Sequence, residues 1–418
     1  MLNYIINGKQ KLEGEVLISG SKNSALPIIA ASILNGKIVK LYNVPQIEDT
    51  KMMIEILKSI GCKVKAQNSK IVIDSSSIKK CEIPDELMRK IRSSVILVGA
   101  LLARFKKAIF SYPGGCDIGT RPIDLHLKGF EKMQIQIHQE NGKVNCKTEE
   151  IVGDKINLDF PSVGATENLI LASIFAKGTT TIENAAREPE IIDLQEFLNK
   201  MGAKVKGAGT SKIEIDGVKE LKEVSYNIMP DRIEAGTFLC IGAATRGNIV
   251  LKGVEPLHLT PVIEKLEEAN CKINIDKNEI EIIGPRRLKA VDIKTMPYPG
   301  FPTDMQSIFA TTMLLAKGTS VIIENIFENR FRYTQELIRM GAKITVEGRT
   351  AIIKGTRKIT ATKVKVPDLR GGAAMILAGL IANGETEIED IRYILRGYEN
   401  IDEKLRKLGA QIEIVEKD

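Results

Sequence analysis

Leu194-Gln195-Glu196-Phe197-Leu198-Asn199-Lys200-Met201-Gly202-Ala203-Lys204-Val205-Lys206 reads as the end of a helix, a turn and the start of a strand, and the chain returns to this pattern six times. The tripeptide Gly202-Ala203-Lys204 recurs as Gly61-Cys62-Lys63, Asn270-Cys271-Lys272, Gly341-Ala342-Lys343 and Gly409-Ala410-Gln411, with a degenerate copy at Gln134-Ile135-Gln136. Successive copies start 73, 68, 68, 71 and 68 positions apart, so the 418 residues divide into about six units of about 70. Eight positions before the tripeptide stand Met53, His126, Leu194, Val262, Tyr333 and Ile401; four before, Leu57, Phe130, Leu198, Leu266, Leu337 and Leu405; one before, Ile60, Met133, Met201, Ala269, Met340 and Leu408. That spacing is one face of an amphipathic helix. The glycine supplies a left-handed C-cap, and the β-branched residues after it predict a strand.

Upstream, Gly36, Gly178, Gly247, Gly318 and Gly384 mark a second helix end. Continuous apolar runs precede them (25–34, 169–176, 373–382), as expected of helices buried on all sides. A short strand follows each. The unit is therefore β-α-β-α-β-β, and six of them predict an α/β fold of two lobes with three repeats each, helices inside and sheets outside. The expected lobes are 22–229, carrying the Cys116 loop, and 1–21 plus 230–418, carrying Asp304 and Arg396.

Composition narrows the function. Hydrophobic content of 43% with 27% charged residues describes a globular chain with room for two cores. The longest apolar runs are about half the ~20 residues of a membrane span, and the N-terminus lacks the order of a signal peptide. We therefore expect a cytoplasmic protein with no membrane partner. Six scattered cysteines without Cys-x-x-Cys, and only three histidines, argue against a metal site and a disulfide framework. A net charge of +7 with 5% aromatics and no basic tract argues against nucleic acid and for an anionic small molecule. No Walker or Gly-x-Gly-x-x-Gly motif is present, so no cofactor is expected.

Sites emerge where the repeats disagree. Fourteen residues before the second glycine stand Lys22, Gly164, Ile233, Asp304 and Arg370, with Arg92 in the degenerate copy. A cation at a helix N-terminus opposes the helix dipole, so Lys22, Arg92 and Arg370 read as ligand contacts rather than helix stabilisers. Thirteen residues before the tripeptide, Arg121 and Arg396 stand where other copies hold Glu48, Pro189, Leu257 and Glu328. Guanidinium forks match carboxylate or phosphate. Cys116 lies in Tyr112-Pro113-Gly114-Gly115-Cys116-Asp117-Ile118-Gly119-Thr120-Arg121, a loop whose neighbouring cation favours the thiolate. His126 holds a core-face position and reads as structural; the other five cysteines read as small apolar residues. Asp304 reads either as an N-cap or as a general base.

Taken together, Gly20-Ser21-Lys22-Asn23-Ser24, Pro113-Gly114-Gly115-Cys116, Arg121-Pro122-Ile123-Asp124-Leu125-His126, Ser162-Val163-Gly164, Phe301-Pro302-Thr303-Asp304-Met305-Gln306, Glu328-Asn329-Arg330-Phe331, Asp368-Leu369-Arg370 and Arg396-Gly397-Tyr398-Glu399 resemble the UDP-N-acetylglucosamine 1-carboxyvinyltransferase family over the full length. The resemblance implies an inside-out α/β barrel with the active site in a cleft between lobes. It also implies transfer of enolpyruvyl from phosphoenolpyruvate to the 3′-hydroxyl of UDP-GlcNAc, the first committed step of peptidoglycan synthesis. By position it implies that Cys116 is the acid, alkylated by fosfomycin, and Asp304 the base. Lys22, Asn23, Arg121, Arg396 and Cys116 hold phosphoenolpyruvate, Cys116 able to form a covalent adduct with it, and Lys22 and Arg396 also count as catalytic by steadying the tetrahedral intermediate. Asn23, Arg92, Arg121, Pro122, Ile123, Asp124, Leu125, Pro161, Ser162, Val163, Gly164, Asp304 and Ile326 contact UDP-GlcNAc, and Arg330 and Arg370 line the cleft. Phe160 and Glu48 depart from lysines found in some members. Two alternatives stay open at this point: the sister activity on shikimate 3-phosphate, and a non-catalytic repeat scaffold. Oligomeric state has no signature in the sequence.

Overall fold

The computed structural model describes residues 1–114 and 123–417. These form two compact units, one of 20–114 with 123–229, the other of 1–19 with 230–417.

The third repeat shows how the unit is built. The strand Lys155–Asn157 leads into the helix Val163–Ser173, the strand Thr179–Glu183, the helix Pro189–Lys200 and the hairpin strands Lys204–Lys206 and Lys212–Asp216. The helical crossover forces the first two strands parallel, in register Ile156↔Ile182. The hairpin adds antiparallel partners, Ile182↔Ile213 and Ile215↔Val205. Alternate residues of these strands are buried, because side chains point to opposite faces of the sheet. Five four-stranded sheets repeat this order. The sixth has three strands, and a single parallel bridge, Glu82↔Ile109, stands where its fourth would be.

Two connections depart from sequential order. The strand Glu13–Leu17 precedes the first buried helix, yet it pairs with Asn248–Lys252 of the fourth repeat. Conversely, Val224–Asn227 precedes the fourth buried helix and pairs with Ile38–Tyr42 of the first. The N-terminal strand Leu2–Asn7 fills the sixth sheet between Glu385–Glu389 and Gln411–Glu416. Residues 1–19 therefore pack with the C-terminal half.

Within each unit the first helix of every repeat is central. All thirteen residues of Leu369–Ile381 are buried. The second helices bury one stripe; Glu48–Ile60 buries Met53, Ile54, Ile56, Leu57 and Ile60. Ile28, Leu101 and Leu169 belong to one core, Phe238, Phe309 and Met375 to the other. This is the α/β architecture of β-α-β-α-β-β repeats, with helices inside each unit and sheets outside.

The turn after the amphipathic helix is left-handed in all six copies, at φ +114°, +62°, +103°, +72°, +90° and +97° for residues 61, 134, 202, 270, 341 and 409. Gln134 and Asn270 adopt it without being glycine, so the geometry is imposed by the repeat. The second helix end corrects the sequence reading. In the fourth repeat Arg246 (φ +58°), not Gly247, takes the left-handed position, and Lys106 (φ +58°) takes it in the second. Counting back from the glycines consequently drifts by a residue. Lys22 and Arg232 both begin their helices, whereas Gly164 and Arg370 are second in theirs.

Candidate active site

Lys22 opens the helix Lys22–Ala31, whose N-cap Ser21 accepts the Ser24 N–H. A lysine here gains nothing from the helix dipole. Its Nζ instead lies 2.8 Å from Oδ2 of buried Asp49, itself in the first turn of Glu48–Ile60. Two helix starts thus hold one ammonium, and Asn23 beside it is half-buried. Ser24 in turn donates to Asp193, which also accepts the Tyr226 hydroxyl at 2.7 Å. Burial raises the Asp193 carboxyl above its ordinary range, and the hydroxyl donors pull it back.

In the same unit Arg92 is half-buried at the head of the 3-10 turn Arg92–Ile96, ahead of the helix Leu97–Phe105. Pro161, Ser162, Val163 and Gly164 are half-buried at the start of Val163–Ser173, where Ser162 accepts the Ala165 N–H. Ile123 is buried, Asp124 exposed and Leu125 half-buried at the start of Asp124–Lys132. Gly164 faces the His126 ring, 3.4 Å from where a Cβ would sit. His126 itself is buried against Asn168. Asn168 Oδ1 accepts the Gly99 N–H at 2.7 Å, and its Nδ2 donates to Val95 O at 2.8 Å, which fixes the amide's orientation. His126 Nδ1, 2.9 Å from that Nδ2, must then be the acceptor. The ring is held by the core.

The 230–417 unit has a sharper constellation. Asp304 lies in the 3-10 turn Thr303–Met305 ahead of Gln306–Thr312, and its side chain is not an N-cap. Oδ1 accepts from Arg330 Nη2 at 3.0 Å and Oδ2 from Arg370 Nη2 at 2.9 Å. Both guanidinium side chains are nearly buried, at 3% and 5% exposure, while the carboxylate keeps 28%. Burial is the largest single influence and opposes the Arg370 charge, but Asp304, Tyr398 and Asp231 together outweigh it and hold the guanidinium proton more tightly than usual. The Arg370 guanidinium also stacks 5.3 Å over the Tyr398 ring. Asp231 and Asp368, by contrast, are helix caps, each accepting two backbone N–H groups. Asp304 is thus a carboxylate oriented by two nearly buried guanidinium groups and itself partly exposed. Arg396 is half-buried at the end of the short helix Arg392–Leu395, before the separate helix Ile401–Lys407. It does not open the amphipathic helix, because the sixth repeat breaks that helix in two.

Three supporting groups escaped the sequence reading. Asp49 orients Lys22. Arg232, buried with its guanidinium 5.6 Å from the Tyr298 ring, was passed over in favour of Ile233 by the one-residue drift. Glu324, fully buried, accepts Thr295 Oγ1 at 2.8 Å, Thr303 Oγ1 at 2.9 Å, Ile326 N–H at 2.8 Å and Phe327 N–H at 3.2 Å. It therefore ties the turn that carries Asp304 to the loop that carries Ile326. Its difference from the other copies shows only in the backbone: the turn after this strand is left-handed at Asn43, Asn184, Gly253 and Asp390, but not at Glu324.

Cys116, Arg121 and Pro122 lie outside the described residues. Of the other cysteines, Cys62, Cys146, Cys240 and Cys271 are buried, and burial pushes each thiol up to about 12. Cys81 is only half-buried. Among the described residues no cluster of metal-ligating side chains forms, and no helix is long and apolar enough to cross a membrane.

Residues 6–405 match the family model of EPSP synthase (3-phosphoshikimate 1-carboxyvinyltransferase). A UDP-N-acetylglucosamine 1-carboxyvinyltransferase 2 from Caldanaerobacter subterraneus subsp. tengcongensis is 52% identical over 413 residues, covering 99% of both chains. Another, from Carboxydothermus hydrogenoformans, is 50% identical over 417 residues, covering 99% of this chain and 100% of the relative. The enolpyruvyl transferase NikO from Streptomyces tendae shares the fold with TM-score 0.90 at 24% identity, over 100% of this chain and 99% of that one. The family model and the full-length similarity agree: the chain belongs to the enolpyruvyl transferase family, among its UDP-N-acetylglucosamine 1-carboxyvinyltransferases.

Proposed function

We propose that this protein transfers the enolpyruvyl group of phosphoenolpyruvate to the 3′-hydroxyl of UDP-N-acetylglucosamine and releases phosphate, committing the sugar nucleotide to peptidoglycan synthesis. The observation that carries this reading is 50–52% identity, across nearly the whole chain, to proteins named for that activity.

In the addition step the 3′-oxygen bonds to C2 of phosphoenolpyruvate, the hydroxyl proton passes to Asp304, and C3 receives a proton from Cys116. In the elimination step C3 returns a proton to the Cys116 thiolate, phosphate leaves C2 and takes up the proton held by Asp304, and the double bond is restored. No electrons change hands, so the reaction needs no redox cofactor. Lys22, Asn23, Arg121 and Arg396 hold the phosphate and carboxylate, where fixed cations stabilise the charge of the tetrahedral intermediate. Arg92, Arg121, Pro122, Ile123, Asp124, Leu125, the 161–164 turn and Ile326 receive UDP-GlcNAc, while Arg330 and Arg370 orient Asp304. A cytoplasmic site of action and alkylation of Cys116 by fosfomycin belong to the same reading.

Phosphate release from phosphoenolpyruvate is the test. It should depend on UDP-GlcNAc and fail with shikimate 3-phosphate. Turnover with shikimate 3-phosphate and not with the sugar nucleotide would reverse the assignment.

A further inference from the structure

Asp304 and Arg370 bring together the N-terminal ends of two central helices of the 230–417 unit. At the C-terminal ends of the helix Arg232–Ala244 and of Gln306–Thr312 with the 3-10 turn Met313–Leu315 that follows it lies a cavity of about 270 Å³, lined by Arg246, Arg286, Arg287 and Arg357 over a floor that includes Ala243 and Leu315. The helix Arg232–Ala244 spans 13 residues, which separates its two ends by about 20 Å. No acidic side chain lines the cavity, and among the described residues none of the four arginines forms an ion pair.

Two of these arginines serve the helix ends. Arg287 donates to the carbonyls of Leu315 and Ala316, both at 3.2 Å, and Arg246 follows the end of its helix. Arg286 and Arg357 have no such duty. They occupy the same place in consecutive repeats, two residues after a turn glycine whose N–H closes onto a helix-end carbonyl: Gly284 to Gly247 at 2.9 Å, Gly355 to Gly318 at 3.0 Å. Where Gly217 and Gly8 make the same closure, the equivalent residues are Lys219 and Gln10. Like charges gathered without counter-ions repel one another, a cost that a bound anion removes. Guanidinium forks suit phosphate oxygens. The volume lies just below the usual range for ligand pockets, which selects a small ligand.

We infer that this arginine-lined cavity is a second anion site, taking a small soluble metabolite of the phosphate-ester or pyrophosphate class, separate from the residues proposed for catalysis. Calorimetric titration of the full-length protein with inorganic pyrophosphate at low ionic strength tests it. Binding should persist in Lys22→Ala, weaken with salt, and fall at least about tenfold in Arg286→Ala/Arg357→Ala, since each lost contact is charge-assisted. The double variant should keep wild-type phosphate release and a melting temperature equal to or above wild type. Unchanged pyrophosphate affinity in the double variant overturns the site. A lowered melting temperature assigns these arginines to helix-end stabilisation and overturns it equally. Retention on phosphatidylglycerol vesicles without pyrophosphate binding overturns the soluble ligand. Because the readout is binding, failure here leaves the proposed reaction untouched.

Discussion

Cys116 and Glu324 make separable demands on the chemistry. Cys116→Ala should abolish phosphate release while UDP-GlcNAc still binds, measured by enzyme assay and titration side by side. Cys116→Asp should retain turnover and escape fosfomycin, because a carboxylate can protonate C3 but resists the epoxide; equal inactivation of both enzymes by the drug would contradict the assignment. Glu324 touches no proposed substrate group, yet it holds both the Asp304 turn and the Ile326 loop. Glu324→Ala leaves several buried donors unpaired. It should cost about 2–4 kcal/mol of stability and lower kcat/KM by about ten- to a hundredfold, with Glu324→Gln intermediate. Lys22 and Asp304 were legible in the sequence because they share a repeat position, at the mouth of an apolar helix, that is ionisable in four of six copies. Glu324 was not, because a glutamate at a strand end reads as solvated until its burial is known.

At the scale of helices and turns, the repeat imposes geometry that some residues suit poorly. Gln134 holds a left-handed turn at φ +62°. Gln134→Gly should relieve about 0.5–1 kcal/mol and raise the melting temperature by a few degrees. No gain would show that Gln134 is held there by a compensating contact. The helix Val163–Ser173 carries the opposite kind of misfit, a wholly buried Glu167. Burial first, then the charges of Glu190 and Glu188, raise its carboxyl well above the ordinary 4.5. With the folded value raised, stability associated with the protonated form is full below about pH 4.5 and is lost as pH rises toward the folded value. Glu167→Gln should therefore melt like wild type at pH 4 and several degrees higher at pH 8. A constant difference across that range would mean that packing, not charge, sets the effect.

For the whole molecule, every strand of the three sheets in the 20–229 unit comes from within that segment, including Val224–Asn227 beside Ile38–Tyr42. Residues 20–229 expressed alone should fold with a single cooperative transition. The segment 230–418 should not, because Leu2–Asn7 and Glu13–Leu17 fill places in two of its sheets; adding residues 1–19 should restore it. Circular dichroism melts of the three chains decide this. The sequence by itself determined the repeat, its helix faces and strands, and which helix mouths carry charge, because periodicity and capping are local properties written along the chain. Only the tertiary structure decided which strands cross to which sheet, that Asp304 rests between Arg330 and Arg370, and that Asp49, Arg232 and Glu324 are buried. Those facts depend on contacts between residues tens to hundreds of positions apart, and burial is a property of the packed neighbours rather than of the residue.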